Sequence, residues 1–200
     1  MLHHVQIRQG AYLPHWTADG GTYHVVFRLV DSLPIAVLEK HRSEVKMLLA
    51  AAAEAGGLPE QQANRLRSLF GQQIESALDQ GLGACWLKRP DIARLTAAAL
   101  QHFDGNRYHL RAWCIMPNHV HVILRPIGNC SLPTILKSWK GYIAHKANQV
   151  LGRTGEFWQP EYYDHLIRSE RELVDTVAYV QNNPIAAGLR NWSWVWPSPA

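Results

Sequence analysis

Apolar residues recur along this chain with two different periods, and the change from one to the other marks out its elements. Residues 23–30 (YHVVFRLV) are β-branched and aromatic between Gly20-Gly21 and Asp31-Ser32, which predicts a first strand. From Pro34 to about Ala53 the apolar spacing is helical. Gly56-Gly57 interrupts it, and a second helical stretch runs from Pro59 to about Leu78, before Gly81 and Gly83. Cys85-Trp86-Leu87 reads as a short strand, and Pro90 opens a helix to Phe103 at a position where a missing N–H costs little. Residues 108–116 and 119–125 alternate about Pro117-Asn118 and predict a β-hairpin. Ser131 can cap a helix to about Val150 that Gly152 and Gly155 end. Residues 158–167 are extended. Ser169-Glu170-Arg171-Glu172 has capping-box spacing, and the helix it opens is expected to stop at Pro184.

Residues 1–20, with their turn-formers and His3, His4 and His15, show no period and predict an irregular arm; 191–200 form a C-terminal tail. Between them lies a single domain, 21–190. Its order of elements predicts an α+β fold with an antiparallel sheet of the ferredoxin-like (split βαβ) kind, carrying a helical insertion at about 34–80 after the first strand.

Composition narrows the class. The 200 residues are 47% hydrophobic, enough for a sizeable core, yet no window approaches the roughly 18 apolar residues of a membrane span. A signal pattern is missing from the N-terminus, so the chain is expected to be soluble and cytoplasmic. Cys85, Cys114 and Cys130 are far apart and form no C-x-x-C pair, which argues against a disulfide framework and a cysteine zinc site and predicts buried, reduced thiols. The net charge of +4 is uneven: 11 Lys/Arg face 10 Asp/Glu in residues 1–110, whereas 9 face 6 in residues 111–200. A basic second half with eight tryptophans and seven tyrosines in the chain suits a charged groove on which unpaired bases stack.

Two constellations carry chemistry. On a strand, side chains two apart share a face, so His119 and His121 present two imidazoles together while Val120 and Val122 turn to the core. Such a pair can share one metal ion. A bare H-x-H also recurs by chance, and spacing alone leaves a structural role open. In the last helix, Tyr179 and Asn183 are four apart and lie on one face. The phenol can act as a nucleophile that stores a phosphodiester as a phosphotyrosine, and the amide oxygen can add a metal ligand. A core tyrosine followed by a helix stop at Asn182-Asn183-Pro184 accounts equally well for that spacing. Two imidazoles and one amide would suit Mg²⁺ or Mn²⁺, and Zn²⁺ no less, with room left for phosphate oxygens.

The stretch 113–121 (WCIMPNHVH) resembles the MPNHVH signature of the REP-associated tyrosine transposases, a bacterial branch of the single-tyrosine HUH transposases. Similar too are YHVVFR at 23–28, FWQ at 157–159 followed by Tyr163-Asp164, and YVQNNPIAAGL at 179–189, so the resemblance spans roughly residues 20–190. It implies that His119 and His121 hold the metal, that Tyr179 is the nucleophile and that Asn183 is the third ligand. It further implies an HUH domain that recognises a DNA hairpin, cuts single-stranded DNA beside it, becomes joined to the 5′ phosphate and frees a 3′ hydroxyl. A divalent ion, Mg²⁺ or Mn²⁺, is the expected cofactor, and monomer and homodimer both remain open.

Tyr142, Tyr162 and Tyr163 are rivals to Tyr179, though none has an asparagine four residues on along a helix. Arg125, Lys137, Lys140 and Lys146 are candidate phosphate contacts. The long stretch between Tyr23 and Cys85 departs from a compact family plan, and its Ala/Leu/Gln-rich composition suits core packing. Competing functions are a metal nuclease in which water attacks, and a nucleic-acid-binding module that does not cut.

Overall fold

Period-two alternation on three neighbouring strands gives one antiparallel sheet two faces of different character. The computed structural model describes residues 5–9, 14–54 and 74–196. In chain order the elements are β1 (Val5–Gln9), β2 (Pro14–Ala18), β3 (Thr22–Arg28), α1 (Ile35–Glu54), α2 (Glu75–Asp79), a 3-10 turn (Trp86–Lys88), α3 (Pro90–Gln101), β4 (Tyr108–Ile115), β5 (His119–Pro126), α4 (Leu132–Leu151), β6 (Tyr163–Ile167), α5 (Glu170–Ala186) and β7 (Val195–Trp196). The main sheet runs β6-β3-β5-β4-β7, every pair antiparallel. Its first four strands have the ferredoxin-like order expected for a split βαβ unit.

On one face, Val25 and Phe27 of β3 and Val120, Val122 and Leu124 of β5 enter the main core with Ile92 and Leu100 of α3 and Ile135, Trp139 and Ile143 of α4. Trp139 Nε1 donates to the Tyr108 hydroxyl at 2.9 Å, which donates to the Leu100 carbonyl at 2.7 Å, so one buried chain of hydrogen bonds links both helices to β4. On the other face two smaller clusters lie side by side. Val180 of α5 packs with Ala112, Cys114, Ile123 and Ile167, while Ile74, Ala77 and Leu78 pack with Val26 and Leu33. The end of the helical insertion is therefore core-packed, and the middle of it, residues 55–73, lies outside the described residues.

The insertion returns to the sheet through a tight contact. Asp31 Oδ2 accepts from Ala84 N at 2.8 Å, and at Gly83 (φ +87°) a β-carbon would meet the Asp31 carbonyl oxygen at 2.5 Å. Only glycine fits there, on backbone angle and on space alike.

Several expectations are corrected. In place of an irregular arm at 1–20, β1 and β2 pair from Val5 opposite Ala18 to Gln9 opposite Pro14. The pairing partner that fixes such a hairpin is not apparent from local period. Cys85-Trp86-Leu87 is no strand: Cys85 sits at φ 50° and opens the 3-10 turn, in which the Lys88 N–H closes on the Cys85 carbonyl at 2.9 Å. Pro184 does not stop α5, which continues to Ala186; a proline in the last turn forfeits one N–H, and the end is held by Ala187 N and Leu189 N donating to the Asn183 and Pro184 carbonyls. The tail contributes β7, which pairs with Trp113 and Cys114 and covers that edge of β4. All three cysteines are free, but only Cys114 is fully buried. Among the described residues no helix is long and apolar enough to cross a membrane.

The capping box at the start of α5 is formed. Ser169 Oγ accepts from Glu172 N at 3.1 Å, and Glu172 reaches back to Arg168 N at 2.7 Å. Ser169→Ala is expected to cost about 1 kcal/mol with an unchanged dependence on denaturant, measured by urea unfolding.

Candidate active site

The polar residues of the second face are tied to α5 through Tyr179, whose ring stands against His121 and His24, and to the end of the insertion through Asn118. His119 and His121 are 0% exposed, Asn183 3% and Tyr179 39%, so the ligand candidates are enclosed and the hydroxyl-bearing residue is open to solvent. Strand alternation turns Val120 and Val122 into the main core and both imidazoles toward α5, as expected. Their Nε2 atoms stand 2.9 Å apart.

Each ring is oriented by a buried partner. The Asn118 amide donates through Nδ2 to the Leu78 and Leu82 carbonyls at 3.2 and 3.0 Å, which leaves Oδ1 to face His119 Nδ1 at 2.7 Å. That nitrogen must donate, and the Nε2 lone pair is free. His121 Nδ1 lies 3.1 Å from His24 Nε2, with the two rings stacked 8° from parallel. When Nδ1–H is donated to His24, both Nε2 lone pairs converge, an arrangement that repels itself unless a cation or proton lies between. Burial lowers the pKa of all three histidines, that of His119 to about 3 with Arg28 adding to the effect, so the rings stay neutral and ready to coordinate.

Asn183 completes the set. Its Nδ2 donates to the Tyr179 hydroxyl at 3.1 Å, and its Oδ1 is buried without a hydrogen-bond partner. An orphaned amide oxygen beside two convergent imidazoles suits a divalent ion, since leaving it unmet costs about 1–3 kcal/mol. Among the described residues no three His, Cys, Asp or Glu side chains are grouped to hold a metal.

The Tyr179 ring stands edge-on to His121 and His24, with centroids 5.8 and 6.0 Å away. Its pKa is pushed up by burial first, then by the charge and hydrogen bond of Glu75 and by the charge of Asp79, against a smaller opposing effect of Asn183. The rival tyrosines are elsewhere: Tyr142 is exposed on α4, Tyr162 packs against the main core and Tyr163 against the α2 cluster.

The basic candidates do not join this cluster. Helix α4, with Lys137, Lys140 and Lys146, packs on the opposite face of the sheet. Lys137 and Lys146 are exposed, whereas Lys140 donates to the Gln159 and Pro160 carbonyls at 2.6 and 2.7 Å, and burial draws its pKa down to about 8. It is a structural clamp. Arg125 is exposed at the far end of β5 from His119.

Sequence reading missed His24, Asn118 and Glu75. The available signal for His24 was its place on a strand among valines, the same oddity that drew attention to His119 and His121.

Residues 85–183, which hold His119, His121, Tyr179 and Asn183, match the family described as "Transposase IS200 like". The chain is 31% identical over 96 residues to an uncharacterised protein of Haemophilus influenzae, covering 36% of this chain and 51% of that one. It is 25% identical over 91 residues to a REP-associated tyrosine transposase of Escherichia coli strain K12, covering 45% and 52%. It thus spans about half the length of these curated relatives. A solved REP-associated tyrosine transposase bound to a REP hairpin is similar at 16% identity and a TM-score of 0.46, over 94% of this chain and 80% of that one.

For a site of this geometry, calorimetric titration of the purified protein with Mn²⁺ is expected to give one ion per chain. His119→Ala should lose it. His24→Ala should weaken it roughly 10–100-fold, as loss of a partner orienting a ligand does; unchanged affinity in that variant would remove His24 from the site.

Proposed function

We propose that the protein is a metal-dependent, tyrosine-nucleophile DNA strand transferase that cuts single-stranded DNA beside a hairpin and can rejoin it. The observation that carries this reading is one cluster: two convergent neutral imidazoles, an orphaned amide oxygen and a solvent-reaching tyrosine bonded to that same amide. The match of residues 85–183 to a transposase family model supports it, as does the likeness to a protein named a REP-associated tyrosine transposase.

A divalent ion, Mg²⁺ or Mn²⁺, held by His119, His121 and Asn183 would neutralise charge on the scissile phosphate and fix its orientation. The rest falls to this chain's own groups. Tyr179 oxygen attacks phosphorus, the bond to the 3′ oxygen breaks, and the strand is left on the tyrosine through its 5′ phosphate. The phosphodiester energy is kept, so a 3′ hydroxyl can reverse the step. Asn183 steadies the attacking oxygen by donating to it, and the enclosed histidines keep water away from their nitrogens. A water-attacking nuclease would not need the nucleophile-like exposure of Tyr179 on an otherwise buried cluster.

With labelled single-stranded hairpin oligonucleotides from the protein's genomic neighbourhood and Mn²⁺, a heat-stable protein–DNA band is expected on a denaturing gel, lost with EDTA and in Tyr179→Phe. His119→Ala should form no adduct yet bind the hairpin within a few-fold, because phosphate contacts dominate affinity. Cleaved product without the band would identify a hydrolytic nuclease; binding with neither would identify a non-cutting module.

A further inference from the structure

The strand that supplies His24 ends on a cation. Arg28 closes β3, where side chains two apart share a face: His24 stacks on His121 and Val26 joins the α2 cluster, so Arg28 lies on the side of the sheet that holds the site. The register sets it directly opposite His119 of β5, an arrangement in which β-carbons stand roughly 5 Å apart. His119 is 0% exposed and Arg28 is half-buried, so a charge that reaches water stands beside a ligand candidate that does not. Arg28 Nη1 donates to Ser32 Oγ at 3.3 Å, and that buried hydroxyl donates to the Leu29 carbonyl at 2.8 Å, which draws the guanidinium toward the turn after β3. The β4–β5 turn lies at the same end of the sheet, since Leu29 N donates to the Asn118 carbonyl at 2.8 Å. The other arginine that β3 and β5 carry, Arg125, is at the opposite end of β5.

We propose that Arg28 binds the scissile phosphate and offsets the charge that gathers on its non-bridging oxygens during the attack of Tyr179, which makes it a catalytic residue supplied by β3. This rests on the strand-transferase reading. No bond of Arg28 forms or breaks. Its task is electrostatic and is the same in cleavage and in rejoining, because both pass through the same arrangement about phosphorus.

The setting agrees with that task. His119, His121 and Asn183 are all neutral donors, and the lysines of α4 lie across the sheet, so the charged strand meets no other cation among the residues assigned to the site. A phosphodiester brings one negative charge, and in-line attack spreads more over its equatorial oxygens. A guanidinium stays charged at every working pH, and its planar fork presents parallel N–H groups that match two phosphate oxygens. The bond to Ser32 is long for an N–H donor, and a shorter, charge-assisted bond to phosphate outweighs it.

The test takes the full chain through two readouts. In single-turnover adduct formation with Mn²⁺ and a labelled hairpin oligonucleotide, Arg28→Ala should react on the order of 100-fold more slowly than wild type, as loss of one donor to a developing anion does, and Ser32→Ala within about three-fold of it. The second readout involves no cleavage. In EDTA and on a Tyr179→Phe background, the same oligonucleotide is compared with one that carries a neutral methylphosphonate at the bond the wild type cuts. With Arg28 present the phosphodiester should bind roughly tenfold more tightly, and with Arg28→Ala the two should bind alike. An arginine that only braces the turn leaves that preference intact. Should alanine disturb the end of β3, Arg28→Gln decides by the same two readouts. An adduct formed by Arg28→Ala as fast as by wild type, a slow variant that still prefers the phosphodiester, or a Ser32→Ala as slow as Arg28→Ala overturns the role of Arg28 and leaves the strand-transferase reading standing. No adduct with wild type overturns both.

Discussion

The arrangement depends on one buried amide. Asn118 lies in the turn between β4 and β5, fully enclosed: both of its amide N–H groups go to tertiary partners, the Leu78 and Leu82 carbonyls, while Oδ1 faces Nδ1 of the adjacent His119. Its backbone carbonyl accepts from Leu29 N at 2.8 Å, which ties the turn to the end of β3. Sheet, insertion and imidazole tautomer are thus set by the same residue. Because Asn118 is fully buried, each of these bonds is worth more than it would be on the surface, and each is costlier to leave unmet.

Much of the framework was legible in the chain itself. Residues 23–28, 108–115 and 119–126 are rich in β-branched and aromatic side chains, and on a strand residues two apart share a face, so strand identity and the pairing of His119 with His121 opposite Val120 and Val122 follow from pattern alone. The capping box before α5 was equally plain, because a Ser–Glu spacing of three acts locally. What stayed hidden was non-local. Nothing near His24 says that its ring will stack on one that comes 97 residues later, and nothing near Asn118 says that its amide will meet the Leu78 and Leu82 carbonyls. The β1–β2 pairing and the docking of β7 are of the same kind, each depending on an edge contributed from elsewhere. Charge is silent on such contacts too: Lys140 counts as a cation in any census, and its ammonium donates to two carbonyls at 159–160.

Burial divides the site by task. Groups that suit a cation are enclosed, neutral and locked by neighbours, while the residue suited to meet a long polymer reaches the surface by less than half of its area. Helix α5 achieves this by carrying Asn183 one turn beyond Tyr179 on the same face. A hydrogen bond between the two then keeps the exposed group registered to the enclosed ones.

The two-faced sheet also has an evolutionary consequence. Val120 and Val122 serve the main core, while His119 and His121, alternating with them on the same strand, face a smaller and more polar layer. Loss of the histidines would leave the valine face and its packed helices intact, so the scaffold can outlive its chemistry. Buried, partly unmet polar groups are a burden on stability that selection for activity alone maintains. Once such selection lapses, drift is free to replace them with apolar side chains, and a descendant can keep the shape of this molecule without its polar cluster.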